Sequence, residues 1–403
     1  MTVYFVLSAF LCCGFFLWDE HFLKMQPKYR RLCQNVFLLV AAAAFVLVST
    51  FRYGIGYDYF NYQNLYEQLG PMPVSELLKD HVAQEFLGYS LFTRLLYLLE
   101  LSYHQLLFVV NVLLTAAVFW FLIRYSPLPW MGAYLYLTLQ FFAHSMNLFR
   151  QSIAATVCLL AYPFLKKRRL IPFVLVVLFA ASFHTSALFF LPFYWILNWK
   201  VSAKKFAVLA AIALPVYLFS TQAAQFLTQY IFPNYAGYIG SRYWSGLGAR
   251  YVIYPAIYFA AVFLMRKPLL KKDPSNRQLI NSSFYVLILY VFSTHHMILE
   301  RFSIYLFMYA MILIPKMIEC LLPAKQPAVQ GEGEEEHEKQ QRKQRQKEKQ
   351  RYREQQATAW VAIFAVVGYG FCYLLFAAAQ GSNGFHKVYP YVSVWSQTEQ
   401  QEK

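Results

Sequence analysis

Charged side chains are scarce in this chain: Asp, Glu, Lys and Arg make up 14% of 403 residues, against 59% hydrophobic and 19% aromatic. Soluble domains carry nearer a quarter charged residues, so a water-soluble globular fold is excluded and a membrane protein is implied. Metal-ligand spacing is also missing. The six cysteines, Cys12, Cys13, Cys33, Cys158, Cys320 and Cys372, sit mostly within apolar runs and read as buried thiols rather than a disulfide framework. The external loops contain no Asp-x-Asp pair, and the chain has no Gly-x-Ser-x-Gly, P-loop or dinucleotide fingerprint. Metal catalysis, a bound cofactor and redox chemistry therefore have no motif behind them. No repeat of 20 to 50 residues and no duplicated halves are evident, which argues against the commonest transporter plan. Residues 1–18 lack the basic start of a leader and a small residue before Cys12, and are read as a first span.

What the chain has in abundance is apolar runs. A span needs about 20 residues to cross about 30 Å of hydrocarbon. Candidates lie at 2–18, 35–51, 103–123, 128–146, 148–165, 206–221, 251–265, 279–297, 302–318 and 358–379. Residues 170–198 are about 43 Å long as a single helix, too long for one upright span. Basic residues flank both of its ends, so a membrane hairpin is expected. With that hairpin, the clusters at 24–31, 166–169, 200–205, 266–277 and within 319–357 all fall on the cytoplasmic side, as the positive-inside rule asks. The net charge of +16 is then an orientation signal rather than a nucleic-acid footprint. The expected fold is all-α and polytopic, with about 10 spanning helices plus the hairpin. A membrane domain covers 1–321, including an external loop 52–102 and the hairpin 170–198. A charged cytoplasmic linker, 322–357, has too few apolar residues to bury a core and is either a solvated helix or a disordered loop. Residues 358–379 form the last transmembrane helix and 380–403 an external tail.

Arg at a span centre costs roughly 2.5–3.5 kcal/mol on insertion scales, so the polar residues retained at the outer face draw the eye. They include Arg52, Asp58, Glu85, Arg94, His144, Asn147, Arg150, Gln151, Arg242, Arg250, Glu300 and Arg301, with His184 at the hairpin's turn. In "HSMNLFRQSIAAT" (144–156), Arg150 and Gln151 open a helix, and a guanidinium there grips a phosphate through two parallel hydrogen bonds. Arg301 repeats that placement in "THHMILERFSIY" (294–305). In "LFAASFHTSALFFLPF" (178–193), His184 separates two apolar halves, with Thr185 and Ser186 placed to cap the second and offer free N–H groups to an anion. The bland alternatives are an Arg that snorkels to headgroups and a satisfied core His.

Five strings in order, "FRYGIGYDYFNY" (Arg52, Gly56, Asp58, Tyr62), "EFLGYSLFTRLL" (Glu85, Gly88, Tyr89), "NLFRQSIA" (Asn147, Arg150, Gln151), "ASFHTSAL" (His184, Ser186) and "ERFSIY" (Arg301, Tyr305), resemble the EpsG family of Wzy-like bacterial polysaccharide polymerases. The resemblance covers roughly 1–318 plus the last span; the charged insert is not part of it. It implies a GT-C-like, multi-pass enzyme of the bacterial plasma membrane with its active face external. The implied reaction joins undecaprenyl-diphosphate-linked oligosaccharide repeat units by metal-independent glycosyl transfer, in exopolysaccharide, capsule or O-antigen synthesis. Membrane lipid and other polysaccharide-assembly proteins are the expected partners, and nucleic acid is not. Under that reading Arg150, Arg301 and Arg52, with Gln151, Asn147 and Tyr62, bind the diphosphate and sugar. The acceptor's base is one of His184, Asp58 and Glu85. A flippase for the same lipid, or a ligase or acyltransferase using a lipid-linked donor, is the alternative. The tyrosines of 51–68 suit either sugar faces or a lipid-interface belt.

Overall fold

A computed structural model describes residues 2–19, 25–230, 236–237, 239–241, 244–323, 335–379 and 386–395. Arg242 of the outer polar cluster, 324–334 of the linker, and 380–385 and 396–403 of the tail lie outside the described residues.

The described chain is helical, and its elements form where the sequence supplies starts and breaks. Helix α1 (Thr2–Cys12) is followed by α2 (Pro27–Thr50), which begins with Pro at N1, where a missing N–H costs nothing. After α3 (Tyr59–Leu69) comes α4 (Tyr103–Tyr125). A capping box opens α4: Gln105 N–H donates to Ser102 Oγ at 3.4 Å and Ser102 N–H to Gln105 Oε1 at 2.7 Å. The apolar run 128–146 does not form one rod. It splits into α5 (Pro129–Thr138) and α6 (Phe141–Asn147) at Gln140, whose φ of 66° leaves the helical region. Helix α7 (Phe149–Leu160) follows after one residue and stops before Pro163.

Residues 170–198 fold back on themselves. Helix α8 (Leu170–Ala181) ends at a turn, and a 3₁₀ segment, Thr185–Phe190, returns alongside it. The Phe173 ring lies 5.4 Å from Phe190 and 5.1 Å from Tyr194. Beyond it, α9 (Arg250–Leu264), α10 (Arg277–Ser293), α11 (Glu300–Phe307) and α12 (Ala310–Leu321) complete the body. Among the described residues, three helices are long and apolar enough to cross a membrane: Pro27–Thr50, Tyr103–Tyr125 and Gln346–Ala379. The number rises to six if each of three bent pairs is one span. The apolar runs are thus divided more often than their hydropathy suggests, because positive-φ turns and prolines interrupt them.

The last helix, α13 (Glu335–Ala379), is a single 45-residue element. At 1.5 Å per residue it is about 68 Å long, more than twice a hydrocarbon core, so its charged first half runs unbroken into the apolar second half. Residues 335–357 of the charged linker are therefore helical.

Packing centres on aromatic contacts. Phe45 of α2 is fully buried, with ring centroids 5.9 Å from Phe119, 5.3 Å from Tyr136 and 4.8 Å from Phe142, tying α2, α4, α5 and α6 together. Within lipid such helices associate through close contact and dispersion rather than expulsion of water, with aromatic pairs adding about 0.5–1.5 kcal/mol each.

Residues 386–395 form a strap across the end of the bundle that carries residues 51–56. Val394 N–H donates to Phe51 O and Tyr53 N–H to Val392 O, both at 3.0 Å, around an antiparallel bridge between Arg52 and Ser393. Gly56 N–H donates to Lys387 O at 3.0 Å, and Tyr4 Oη to Val388 O at 3.1 Å. The sequence contains no periodic signal for this strap, because it is held mainly by main-chain bonds.

Candidate functional site

Three interrupted segments bring their ends to one place. Helix α7 begins with Phe149, Arg150 and Gln151; α11 begins with Glu300 and Arg301; the fold-back turns at His184. Between them lies a cavity of about 220 Å³ lined by Glu85, Phe86, Arg150, Gln151, His184, Ser186 and Arg301, among others.

The loop that delivers Glu85 and Phe86 depends on a close approach. Gly88 N–H donates to Ser182 O at 2.8 Å, and a Cβ at Gly88 would stand 2.1 Å from Ser182 Oγ. Only glycine lets the 87–98 helix rest on the turn before His184. Phe86 then supports Arg150, whose guanidinium carbon lies 3.7 Å from the Phe86 ring centroid, a cation–π contact. The Arg150 backbone N–H donates to Tyr62 Oη at 3.4 Å. Its Nε is buried with no protein hydrogen-bond partner among the described residues.

Gln151 ties the segments together. Its Nε2 donates to Arg301 O at 2.8 Å and to Ser186 Oγ at 3.4 Å. Ser186 Oγ is 2.7 Å from both His184 Nδ1 and Tyr305 Oη. The Ser186 backbone N–H also points at His184 Nδ1, at 3.3 Å. A main-chain N–H donates only, so Nδ1 must accept. That assigns the network a direction, Tyr305 O–H to Ser186 Oγ and Ser186 O–H to His184 Nδ1, and places the proton of a neutral His184 ring on Nε2. The cap of the returning 3₁₀ segment is thus His184 itself, not the Thr185 and Ser186 hydroxyls the sequence suggested.

Of the residues singled out from sequence, Glu85, Arg150, Gln151, His184 and Arg301 line one cavity. Arg52, Asp58, Tyr62 and Asn147, also assigned to the site under the family reading, do not. Arg52 is 1% exposed and donates from Nη1 to Ser49 O, one of the last carbonyls of α2, with its guanidinium carbon 5.9 Å from the Tyr59 ring centroid. It bonds a helix C-terminus and is not among the residues lining the cavity, and its Nε has no protein partner among the described residues. Asp58 precedes α3, where its Oδ1 accepts from Asn61 Nδ2 at 3.4 Å, and is not among the residues that line the cavity. Tyr62 stands behind Arg150 as an acceptor. Asn147 serves as a joint: its Oδ1 accepts from Tyr57 N–H at 2.8 Å and its Nδ2 donates to His386 Nδ1 at 3.4 Å.

Phe86 and Tyr305 support the site without having been singled out for it. His386 on the strap had no signal beyond a histidine in a polar, aromatic tail. Its burial, and then the charge of Arg301, push its imidazole down to about 3, so it is neutral and able to accept from Asn147. Among the described residues no three His, Cys, Asp or Glu side chains gather at metal-binding range.

The model of the EpsG family matches residues 35–328, which contain every cavity residue named above. This chain belongs to the EpsG family. No curated protein and no solved structure matches the chain. EpsG membership, with the apolar helices, makes this a polysaccharide polymerase-like membrane protein related to glycosyltransferases. The EpsG match ends before α13 and the strap, so His386 lies outside the matched region while its partner Asn147 lies within it.

Proposed function

We propose that this protein extends a polysaccharide by joining oligosaccharide repeat units carried on undecaprenyl diphosphate, with the cavity of Arg150, His184 and Arg301 opening to the external face of a bacterial plasma membrane. The observation that carries the reading is that two helix starts bearing arginines, at 150 and 301, border one cavity together with His184 and the carboxylate of Glu85.

The acceptor hydroxyl oxygen forms a bond to the anomeric carbon of the donor sugar, and the bond from that carbon to the diphosphate oxygen breaks. The electron pair leaves with undecaprenyl diphosphate. Arg150, with an unpaired Nε and the Phe86 ring beneath it, meets the growing negative charge together with Arg301. His184 presents an N–H rather than a lone pair, which suits it to donate to a diphosphate or sugar oxygen. Of the three residues considered as base, Glu85 is then the one that lines the cavity with an acceptor, and it takes the hydroxyl proton.

The test is reconstitution of the purified chain with defined undecaprenyl-diphosphate repeat units. Longer lipid-linked chains support the proposal. Movement of single units across the bilayer without joining sinks it in favour of a flippase, and transfer to a different acceptor sinks it in favour of a ligase. The orientation is checked with single cysteines at exposed Glu67 and Lys200: labelling of the first from outside and of the second only after permeabilisation is expected.

A further inference from the structure

A second cavity, of about 60 Å³, lies on the other side of the first turn of α11, walled by the ends of α9, α10 and α13 and by residues 386–389 of the strap. At roughly 10–15 Å³ per water-sized group it holds about four to six such groups. Glu300 lines this cavity, while the next residue, Arg301, lines the first. The Glu300 carboxylate is fixed on one side only: Tyr254 Oη donates to Tyr290 Oη at 2.6 Å and Tyr290 Oη to Glu300 Oε1 at 3.1 Å. Its Oε2 is buried with no protein partner among the described residues. His144, 4% exposed and also lining the cavity, holds Ser152 Oγ with Nδ1 at 2.8 Å, and its Nε2 likewise has no partner. Burying such groups unpaired is unfavourable, more so for a charged one, so their retention calls for something that supplies hydrogen bonds.

The wall chemistry narrows the choice. Tyr251, Tyr254, Tyr373 and Phe376 contribute aromatic surface. An isoprenoid tail would leave the Glu300 and His144 atoms unpaired against hydrocarbon. A phosphate would meet the Glu300 carboxylate and find little cationic lining, since Lys387 directs its Nζ to within 5.8 Å of the Tyr57 ring centroid. A hydroxyl-rich, uncharged ligand with an apolar face fits both features. We propose that this second cavity binds the hydroxyl-bearing edge of the acceptor sugar, with Glu300 Oε2 accepting from its hydroxyls and the aromatic wall covering its apolar face.

The inference rests on the polymerase reading, and the experiment separates the two. Full-length protein in nanodiscs is supplied with saturating undecaprenyl-diphosphate repeat unit as donor and a soluble repeat-unit methyl glycoside as acceptor. E300Q preserves shape and the bond from Tyr290 but turns an N–H toward the acceptor hydroxyls. The expected result is a rise in acceptor KM of about tenfold or more, less than about threefold change in kcat, and unchanged binding of undecaprenyl diphosphate. Y290F, which only releases Oε1, raises the acceptor KM about threefold and decides the matter alone if E300Q is lost from the membrane. An unchanged acceptor KM in a wild type that elongates refutes the acceptor site while leaving the polymerase intact, and so does weakened diphosphate binding. A wild type that fails to elongate any lipid-linked unit overturns the polymerase and this site with it.

Discussion

His184 performs two separable jobs, and two substitutions divide them. Its Nδ1 accepts the Ser186 N–H and so caps the returning 3₁₀ segment, while Nε2 carries the proton in the neutral ring. Asparagine places its Oδ1 near the position of Nδ1 and is among the best N-capping residues, but reaches no further. His184→Asn therefore keeps the cap and removes the cavity donor. Loss of one preorganised donor costs about 10²–10³ in rate, equivalent to about 2.7–4 kcal/mol. Glutamine does the reverse: its Nε2 extends toward the cavity while the short cap is lost, at about 1 kcal/mol. The expectation is that His184→Asn folds like the wild type, with an unchanged melting temperature, and elongates about 10²–10³ times more slowly. His184→Gln melts roughly 2 °C lower and retains more activity than His184→Asn.

The assay is chain elongation from lipid-linked repeat units, normalised to folded protein and paired with thermal unfolding in detergent. Equal and complete inactivity of both variants at normal stability would refute the donor assignment, because it would mean that the ring must take up a proton, a role neither amide performs. Full activity of His184→Asn would remove the residue from the chemistry altogether.

Further expectations follow from individual contacts. Arg150→Lys keeps a charge but loses the planar stack on Phe86 and the two-pronged grip, so elongation falls at least about tenfold at unchanged expression, and Arg150→Ala falls further; equal rates for Lys and Arg would show that a point charge suffices. Arg52→Gln lowers the yield and melting temperature yet leaves the acceptor and donor KM of the folded fraction near wild type, since Arg52 serves a helix end; a selective rise in donor KM would return it to the site. Gly56→Ala is strained at φ 94°, with its Cβ 2.7 Å from Met146 O, and destabilises by about 1–3 kcal/mol, read as a lower melting temperature. On the opposite side, burial alone would raise the Asp273 carboxyl, but hydrogen bonds from Lys166, 2.9 Å away, and Ser275 outweigh it and hold the group at about 2. Its folded value lies below the unfolded 3.8, so its contribution is present above pH 4 and disappears as pH falls toward 2. With a third of the side chain exposed, the loss is no more than about 1 kcal/mol, and Asp273→Asn abolishes that pH dependence of the melting temperature.

The cavity's polar residues were legible because charge in an apolar chain is costly and must have a reason. Arg150 and Arg301 stood at helix starts, His184 at a break, and the structure brings all three together. Arg52 followed the same logic yet lies apart from the cavity lining, since a guanidinium at a span end has a second reason to be there: the last carbonyls of the helix below it. Cost identifies an exceptional residue but does not distinguish a ligand from a carbonyl as its partner. The breaks at Gln140 and in the fold-back show a similar division. A histidine between two short apolar halves announced one, whereas Gln140 adopts φ 66° inside a run whose hydropathy continues without interruption. The strap was illegible for a different reason, since main-chain bonds formed by Val392, Val394 and Lys387 leave no side-chain pattern.

The strap also bears on why the site is built from short segments. A long helix is anchored along its whole length, but the first turn of α7 follows one residue after α6 and has no such hold. Its position comes from Asn147, which receives the Tyr57 N–H from the 51–58 loop and donates to His386 from the strap. Gly56 lies against Met146 and Asn147, so the loop cannot shift without moving the residues that precede Arg150. Three segments far apart in sequence thus fix one helix start. The aim of a single guanidinium depends on angstrom-scale placement, and loosening any of the three misdirects it while leaving its charge in place. Cutting the chain after residue 379 is accordingly expected to lower elongation more than it lowers melting temperature. A truncated protein with unimpaired elongation would show that the loop and turn alone suffice to place Arg150.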